Sequence, residues 1–563
     1  MKKILLPMLA VALLALPAFR SAAQEQNGGS KPVAVVTIAS YERLMTDIAF
    51  IGNLTGNPDL DKNLEGMIQL FTQGQGLAGL DKKRPLGVTL TTDGLSFQPL
   101  IVLPVTDLKQ LLGALEGLIG PAEEGAAGVF ELDVFNQKIF VTEKNTWAYV
   151  ATASEALANL PNDGGTLFAG LDKSYDLAGR LHVQNVPEVF RTMLVDQLRA
   201  GVEAGLSRQT EESDEAYETR KKAVEAQIDS LTKIINDIEQ LTLGLAINPE
   251  AKTAHIDLSL AAVAGTDTAK QLSRAKPATS NFAGFLAPDA AASLNLTTEL
   301  EKSDAEQFVA GLDAIRSTAI QYIHGEAKLQ DEASRKLAEE MVGEVFDAIK
   351  LTFESGKIDA GATLNLSEKS LALVVGAYVA EPKSVEDALR KLAKLGETEP
   401  NLPKIKFDAD KHDGIRFHSA SIPVPPDRKI AKILGEKLDV SVGIGDKVVY
   451  LALGTDSLNM AKGLIDRSKA EASKQLPPFQ LNVSLGPVLK FIAALGDDAA
   501  DEDSMLKKLA DDLAKTPGKD HLRLEYMPEP NGATIRLSAE EGVLMLLGTA
   551  LKSAQESGAI PGF

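Results

Sequence analysis

The sequence predicts an α+β fold: antiparallel sheets with helices packed on one face, internally duplicated, with inserted helical arms. Three observations predict it. A β-hairpin running straight into a helix occurs four times, starting at Gly87, Leu241, Gly361 and Leu522. A single strand feeding a helix precedes each hairpin, starting at Val33, Leu177, Ala291 and Phe479. A third element occurs twice, as NTWAYVATASEAL from Asn145 and DKVVYLALGTDSL from Asp446. Hairpins demand antiparallel pairing, and helices interposed between hairpins place the chain in the α+β class.

The first 23 residues read as a secretory leader. Lys2 and Lys3 form a basic start, Ile4 to Phe19 is apolar but too short and too Pro-interrupted to span a bilayer, and Ser21 and Ala23 are small residues suited to cleavage after Ala23. Residues 24–30 read as a linker. The expected destination is the periplasm or the outside of the cell. The chain has no Cys, so disulfides and a lipidated N-terminal Cys are excluded and stability must come from a packed core.

In the first lobe, expected over residues 31–277, the strand from Val33 leads into a helix. The hairpin from Gly87 turns at Asp93-Gly94, a strong two-residue turn signal, and Thr106-Asp107 opens the next helix. Trp147 lies on a strand and reads as core, with Ser154 as the N-cap that follows. After the strand at Leu177 comes an inserted arm. Val224, Ile228, Leu231, Ile235, Ile238 and Leu241 step at helical spacing, and the charged Glu211–Lys222 stretch reads as its solvated approach. The hairpin from Leu241 turns near Asn248-Pro249, and Thr266-Asp267 starts the closing helix.

The second lobe is expected over residues 278–563. Its strand at Ala291 is followed by a helical pair, with Ser303 and Glu306 as a capping box and Gly325 between the helices. Glu368-Lys369 is a weaker hairpin turn, Ser384 a helix start, Thr455 the counterpart of Ser154, and Asn531-Gly532 the last strong turn. The duplication rests on spacing. Leu181, Val183 and Pro187 match Leu481, Val483 and Pro487 at a constant offset of 300, and Tyr149 matches Tyr450 at 301.

The arrangement resembles a group of secreted bacterial proteins of unknown function with repeated hairpin–helix units. Pro104-Val105-Thr106-Asp107 before a helix and the Trp147–Ala151 strand carry the likeness. The resemblance implies export and an α+β repeat fold, and transfers no active site.

No nucleophile elbow, zinc helix, phosphate loop or dinucleotide fingerprint occurs. Of the six His, only His412 and His418 are close in sequence; with Asp408, Asp410 and Asp413 they could form a metal or acid–base site, but His412 lies in a turn-like DADKHDG stretch that reads as a solvated hairpin turn, and His418 in a strand-like IRFHSAS. Their calcium-loop register fails, because Gly414 falls at position 7 and Ser419 at position 12. Asp59, Asp61 and Asn63 fail at Leu64. Asp497, Asp498, Asp501, Glu502 and Asp503 read as a solvated acidic loop. Asn53, Asn295, Asn365 and Asn482 begin N-x-[ST] sequons but read as ordinary strand and loop positions. No catalytic, cofactor or metal residue is therefore assigned.

The net charge is −20, and −23 once the leader's Lys2, Lys3 and Arg20 are removed. That argues against nucleic acid and anionic membrane surfaces and is compatible with cations or a basic partner. The expectation is an exported, non-catalytic binding or structural module, its partner an unknown protein or an apolar small molecule. A carrier of apolar ligands is the alternative, and an extracytoplasmic hydrolase with an unlocated site the second alternative.

Overall fold

The computed structural model describes residues 30–206, 208, 214–325, 332–398, 402–424, 431, 434–495, 505–514, 516 and 518–556. The leader, the rest of the linker before residue 30 and the acidic stretch Asp497–Asp503 lie outside the described residues. The chain is mixed α+β, and every strand pairing given below is antiparallel. It divides into two units. The first comprises the described residues of Met1–Ser273, Glu529–Ile535 and Leu547–Phe563, and the second those of Arg274–Pro528 and Arg536–Leu546.

In the first unit, β1 (Lys31–Ile38) pairs with β2 (Leu86–Thr92) on one side and β8 (Leu177–His182) on the other. Beyond β2 come β3 (Phe97–Pro104), β7 (Trp147–Ala151), β6 (Gln137–Lys144), β5 (Val129–Val134) and the two-residue β4 (Glu123–Glu124). Beyond β8 come β9 (Ile238–Asn248) and β10 (Thr253–Ala262). The helices are α1 (Tyr41–Leu54), α2 (Leu60–Phe71), α3 (Leu108–Ile119), the single turn α4 (Leu171–Ser174), α5 (Glu188–Gly205), α6 (Asp214–Asp237) and α7 (Asp267–Arg274). Side-chain caps start several of them. Asp107 accepts from Gln110 N at 2.9 Å, and Thr266 Oγ1 accepts from Ala269 N at 3.2 Å.

In the second unit, β12 (Ala292–Glu299) pairs with β13 (Lys357–Ser367) and β20 (Phe479–Ser484). Beyond β13 come β14 (Ser370–Tyr378), β18 (Val448–Gly454), β17 (Lys437–Ile444), β16 (Ile415–Pro423) and β15 (Lys406–His412). Beyond β20 comes β21 (His521–Glu529). β11 (Ala278–Thr279) and β19 (Gln475–Leu476) form a small separate ladder. The helices are α8 (Lys302–Gly325), α9 (Glu332–Glu354), α10 (Pro382–Thr398), α11 (Ser457–Ala470), α12 (Leu485–Leu495) and α13 (Met505–Leu513). β22 (Gly532–Glu540) and α14 (Glu541–Glu556) each contribute residues to both units.

Cover is not confined to one face as expected. Consecutive strand residues point to opposite faces. Ala148 of β7 packs under α3 with Leu108 and Leu111, whereas its neighbours Trp147 and Tyr149 pack on the other side with Phe168 and Leu171. On β16, Phe417 joins the core beneath α11, while Arg416 binds Glu386 of α10 on the reverse face. A sheet that is apolar on both faces needs cover on both. In the second unit, Phe282 and Phe285 seat directly on the sheet. A Cβ at Gly361 would stand 2.7 Å from Phe282 Cβ, so glycine is needed there for the rings to approach.

Several local expectations are corrected. Asp93-Gly94 opens a four-residue loop, since Thr92 pairs with Phe97 and the Asp93 carboxylate accepts from Leu95 N and Ser96 N. The weaker Glu368-Lys369 is the true two-residue turn, between the paired Ser367 and Ser370. Ser303 and Ser384 lie inside helices that begin at Lys302 and Pro382, and proline is well suited to a helix's first turn. Ser154 starts a short 3-10 turn rather than a helix, whereas α11, following Thr455, runs 14 residues. The arm helix α6 begins at Asp214, so most of the charged approach is itself helical, and it ends at Asp237, so Ile238 and Leu241, expected on its stripe, belong to β9 instead, where they pair with β10. The β5–β6 hairpin escaped the sequence reading. Its turn, Phe135-Asn136, has both residues at positive φ.

Candidate functional site

The strands of the first unit alternate in an unusual sense. On β9, Leu241, Leu243 and Leu245 point one way, and Thr242 and Gly244 the other. On β10, Ile256 and Leu258 oppose Asp257 and Ser259. The polar set is the covered one. Thr242 is 5% exposed and Asp257 2%, while Leu243 is 56% exposed and Leu258 43%.

Register carries this aliphatic face across four strands. Val36 of β1 stands opposite Gly179 of β8, Gly179 opposite Leu243, and Leu243 opposite Leu258. The flanking rows run Ile38, Leu177, Leu245, Ile256 and Ala34, Leu181, Leu241, Leu260. Val36, Leu177, Leu181, Leu243, Ile256 and Leu258 are all exposed. Strand spacing of about 4.8 Å and a same-face repeat of about 6.8 Å make the patch roughly 20 Å on each side, or about 400 Å². Gly179 leaves a notch at its centre. A Cβ there would meet only ordinary contacts, the nearest at 3.8 Å, so packing does not require the glycine.

The same face is occupied at its far end. Ile101 and Leu103 of β3 continue it by register, and Leu103 packs into the core under α3. Phe97, also on this face, meets Phe190 of α5 with ring centroids 5.1 Å apart. The bare area therefore lies between covered ground and the β10 side. A contiguous exposed aliphatic patch of about 400 Å² matches the largest such patch of a typical monomer, which is often functional.

The residues singled out from sequence fall elsewhere, and several of them are tied up in ion pairs or hydrogen bonds. The His412 ring meets Asp466 at 2.7 Å. Asp410 pairs with Lys462, Asp413 with Lys469 at 2.6 Å, and Asp408 with Arg416 at 3.2 Å. β15 and β16 form a hairpin turned at Asp413-Gly414, so the stretch expected as a turn is mostly strand. His418 is buried on β16, with Nδ1 accepting from Asp408 N at 3.0 Å, and burial pushes its pKa down. These contacts neutralise each carboxylate and do not converge the two imidazoles. Asp59 and Asp61 sit at the start of α2, where Asp59 pairs with Lys62. Trp147 is core, as expected. Asn295 is fully buried and donates to Ser280 Oγ at 2.9 Å, so its sequon is no surface acceptor.

One charged cluster escaped the sequence reading. Arg43 of α1 reaches Asp176 with Nε at 2.8 Å and Ile247 O with Nη2 at 2.7 Å, and Asp176 accepts from Ile247 N at 2.6 Å. Asp47, one turn along α1, is 3% exposed, and its Oδ1 makes no hydrogen bond. Burial first, and the Asp176 charge second, push its pKa up to about 7, against the pull of Arg43. Asp47 is shut off from solvent, while Arg43 is half exposed, and the cluster ties α1 to the end of β9.

Open clefts also lie among the described residues of the second unit. One, of about 730 Å³, is lined by Asp520, His521 and Lys490 among others. Asp520 is spent on Ser484 Oγ at 2.7 Å and Gly486 N at 2.6 Å, and His521 lies between Glu540 and Pro288 O. Another, of about 880 Å³, opens among Lys404, Lys406 and Lys437. In that second cleft Ser421 Oγ donates to Asp439 Oδ1 at 2.6 Å, an exposed pair.

No family model, curated protein or solved structure matches this chain.

Proposed function

We propose that this chain is an exported, non-catalytic binding module that docks one amphipathic helical segment of a protein partner on the bare aliphatic face of its first unit. The observation that carries the reading is the inverted burial of β9 and β10, with leucines in water and hydroxyls and carboxylate covered. Area sets the occupant. About 400 Å² is half of what each partner contributes to a standard protein interface of about 800 Å² a side, so a second copy gains too little there. It does suit one helix laid across strands, with a side chain in the Gly179 notch. A carrier of apolar small molecules needs walls that enclose most of its ligand, and this face is open. The net charge of −20 favours basic flanks on the docked segment.

The export and duplication readings stand beside it. Lys2, Lys3, the apolar run and Ala23 support export, and sequencing the exported protein should find Gln24 first. Duplication is supported by order. The first unit reads β9-β8-β1-β2-β3-β7-β6-β5-β4, and the second reads β21-β20-β12-β13-β14-β18-β17-β16-β15, so that β8 falls opposite β20 and β7 opposite β18. Tyr149 and Tyr450 each lie on the strand beside the second strand of a hairpin.

The docking test uses a labelled Leu/Lys amphipathic helical peptide and its sequence-scrambled control, titrated into the mature chain at physiological salt. Saturable binding of the helix, absent for the scramble and lost in Leu243→Lys/Leu258→Lys, is the expected result. Equal binding of both peptides, or displacement of the helix by oleate at stoichiometric amounts, overturns it, the latter in favour of a lipid carrier.

A further inference from the structure

The covered face of the same sheet holds a polar cavity of about 260 Å³ within the first unit. Its floor is a row of polar side chains: Arg180 of β8 stands opposite Thr242 of β9, and Thr242 opposite Ser259 of β10. Tyr175 and the α4 turn form the other wall.

The two ends of this row differ in chemistry. At one end, Arg180 donates through Nε to Thr242 Oγ1 at 3.0 Å. Its two terminal nitrogens have no hydrogen bond and no ion pair among the described residues. Thr242 accepts that bond, so its own proton is left over, and it too meets no acceptor. This end offers donors only. At the other end the polarity is reversed. Thr534 donates to Glu529 Oε1, and Ser259 meets Thr534 Oγ1 at 2.6 Å. Because Thr534 spends its proton on Glu529, Ser259 must donate to Thr534, which leaves the Ser259 oxygen and Glu529 Oε2 as acceptors.

We propose that this cavity binds a small zwitterion, of free amino-acid or dipeptide size, with its carboxylate on Arg180 and Thr242 and its ammonium on Glu529 and Ser259. Charge balance selects the class. The cavity carries one cation and one carboxylate, so a simple anion would face Glu529 and a simple cation would face Arg180. A dipolar ligand satisfies both ends, and Arg is the side chain best shaped to clamp a carboxylate. The volume lies below the roughly 300–1,000 Å³ of drug-sized sites, which limits the ligand to a few heavy atoms. The proposal is independent of helix docking, because it uses the opposite face.

Calorimetric titration of the mature chain with glycine, L-alanine and glycylglycine tests it, with N-acetylglycine and glycinamide as single-charge controls. At least one dipolar ligand should bind saturably with a Kd of about 1 mM or tighter, and both controls should bind about tenfold more weakly or worse. In Glu529→Gln, at the exposed end of β21, the discrimination against N-acetylglycine should vanish. In Arg180→Gln, the discrimination against glycinamide should vanish. Thr242→Val should weaken the dipolar ligand without altering discrimination against N-acetylglycine, and serves if Arg180→Gln does not fold. No binding of any dipolar ligand at about ten times a millimolar Kd, or binding of the controls as tight as the zwitterions, overturns the proposal.

Discussion

Thr242 and Leu243 are neighbours on β9, yet Thr242 is 5% exposed and Leu243 56%. Adjacent strand residues always face opposite ways, so the contrast assigns the two faces of this sheet. The polar face is covered by chain and lined with hydrogen bonds, and the leucine face meets water. A monomer that folded only for its own stability would reverse that arrangement, since burying a leucine side chain stabilises by roughly 1.5–3 kcal/mol.

Replacing Leu243 and Leu258 by Lys should change folding stability little, by about 0.5 kcal/mol or less per site, because both are exposed and lose few contacts. The same pair should abolish helical-peptide binding. Urea unfolding read beside fluorescence anisotropy separates the two effects. A large loss of stability would mean the face is covered in solution.

Gly179→Val should hold or raise stability, because valine favours strands and a Cβ there meets its nearest neighbour at 3.8 Å. It fills the notch between Leu177 and Leu181. Peptide affinity should fall severalfold while the melting temperature stays level, and unchanged affinity would remove the notch from the docking account.

Asp47 links stability to pH. Its folded pKa, raised to about 7, exceeds the ordinary carboxylate value near 3.8. The folded state therefore binds the extra proton between those values, and stability falls as pH rises through 7. Asp47→Asn cannot ionise, so it should gain on the wild type by roughly 1–3 kcal/mol between pH 4 and pH 8. Denaturation at both pH values checks this, and a constant difference would refute the assignment.

Glu386 runs the other way. Hydrogen bonding from Arg416, with further help from Arg390, holds its pKa down to about 2 against the opposing effect of burial. Its stabilising contribution is present above pH 4.5 and is lost as pH falls through 2. Glu386→Gln should cost about 1–3 kcal/mol at pH 7 and almost nothing at pH 2. The variant and wild-type acid-unfolding curves should converge at low pH.

Gly244→Ala tests the cavity wall. A Cβ on Gly244 would stand 2.4 Å from the Tyr175 ring, whose hydroxyl bonds Asp257 at 3.0 Å. The ring must move, at a cost of about 1–3 kcal/mol. Thermal unfolding should register that loss, and the buried Asp257 carboxylate should lose its tyrosine bond.

The class of fold and most of its elements were legible in the sequence because they depend on local rules. Period-two alternation marks β9 and β10, the Asp107 and Thr266 caps mark α3 and α7, and helical spacing marks α6. Turn length was not legible at Asp93, where side-chain bonds to Leu95 N and Ser96 N widened a loop whose two residues fit a tighter one. The β5–β6 hairpin was missed, although Asn136 tolerates the positive φ that its turn uses. What only the tertiary structure decided is which side of an alternating strand is inside. Alternation in LTLGLAIN places leucines on one face and Thr242 and Gly244 on the other, but it is symmetric between the two and cannot say which meets water. That choice belongs to segments distant in sequence. Phe168, Leu171 and Tyr175 lie against the hydroxyl side, and no described helix lies over Leu243. The Arg180–Glu529 cavity belongs to the same category, because its two charged residues are 349 positions apart in the chain and line one space only once the chain has folded.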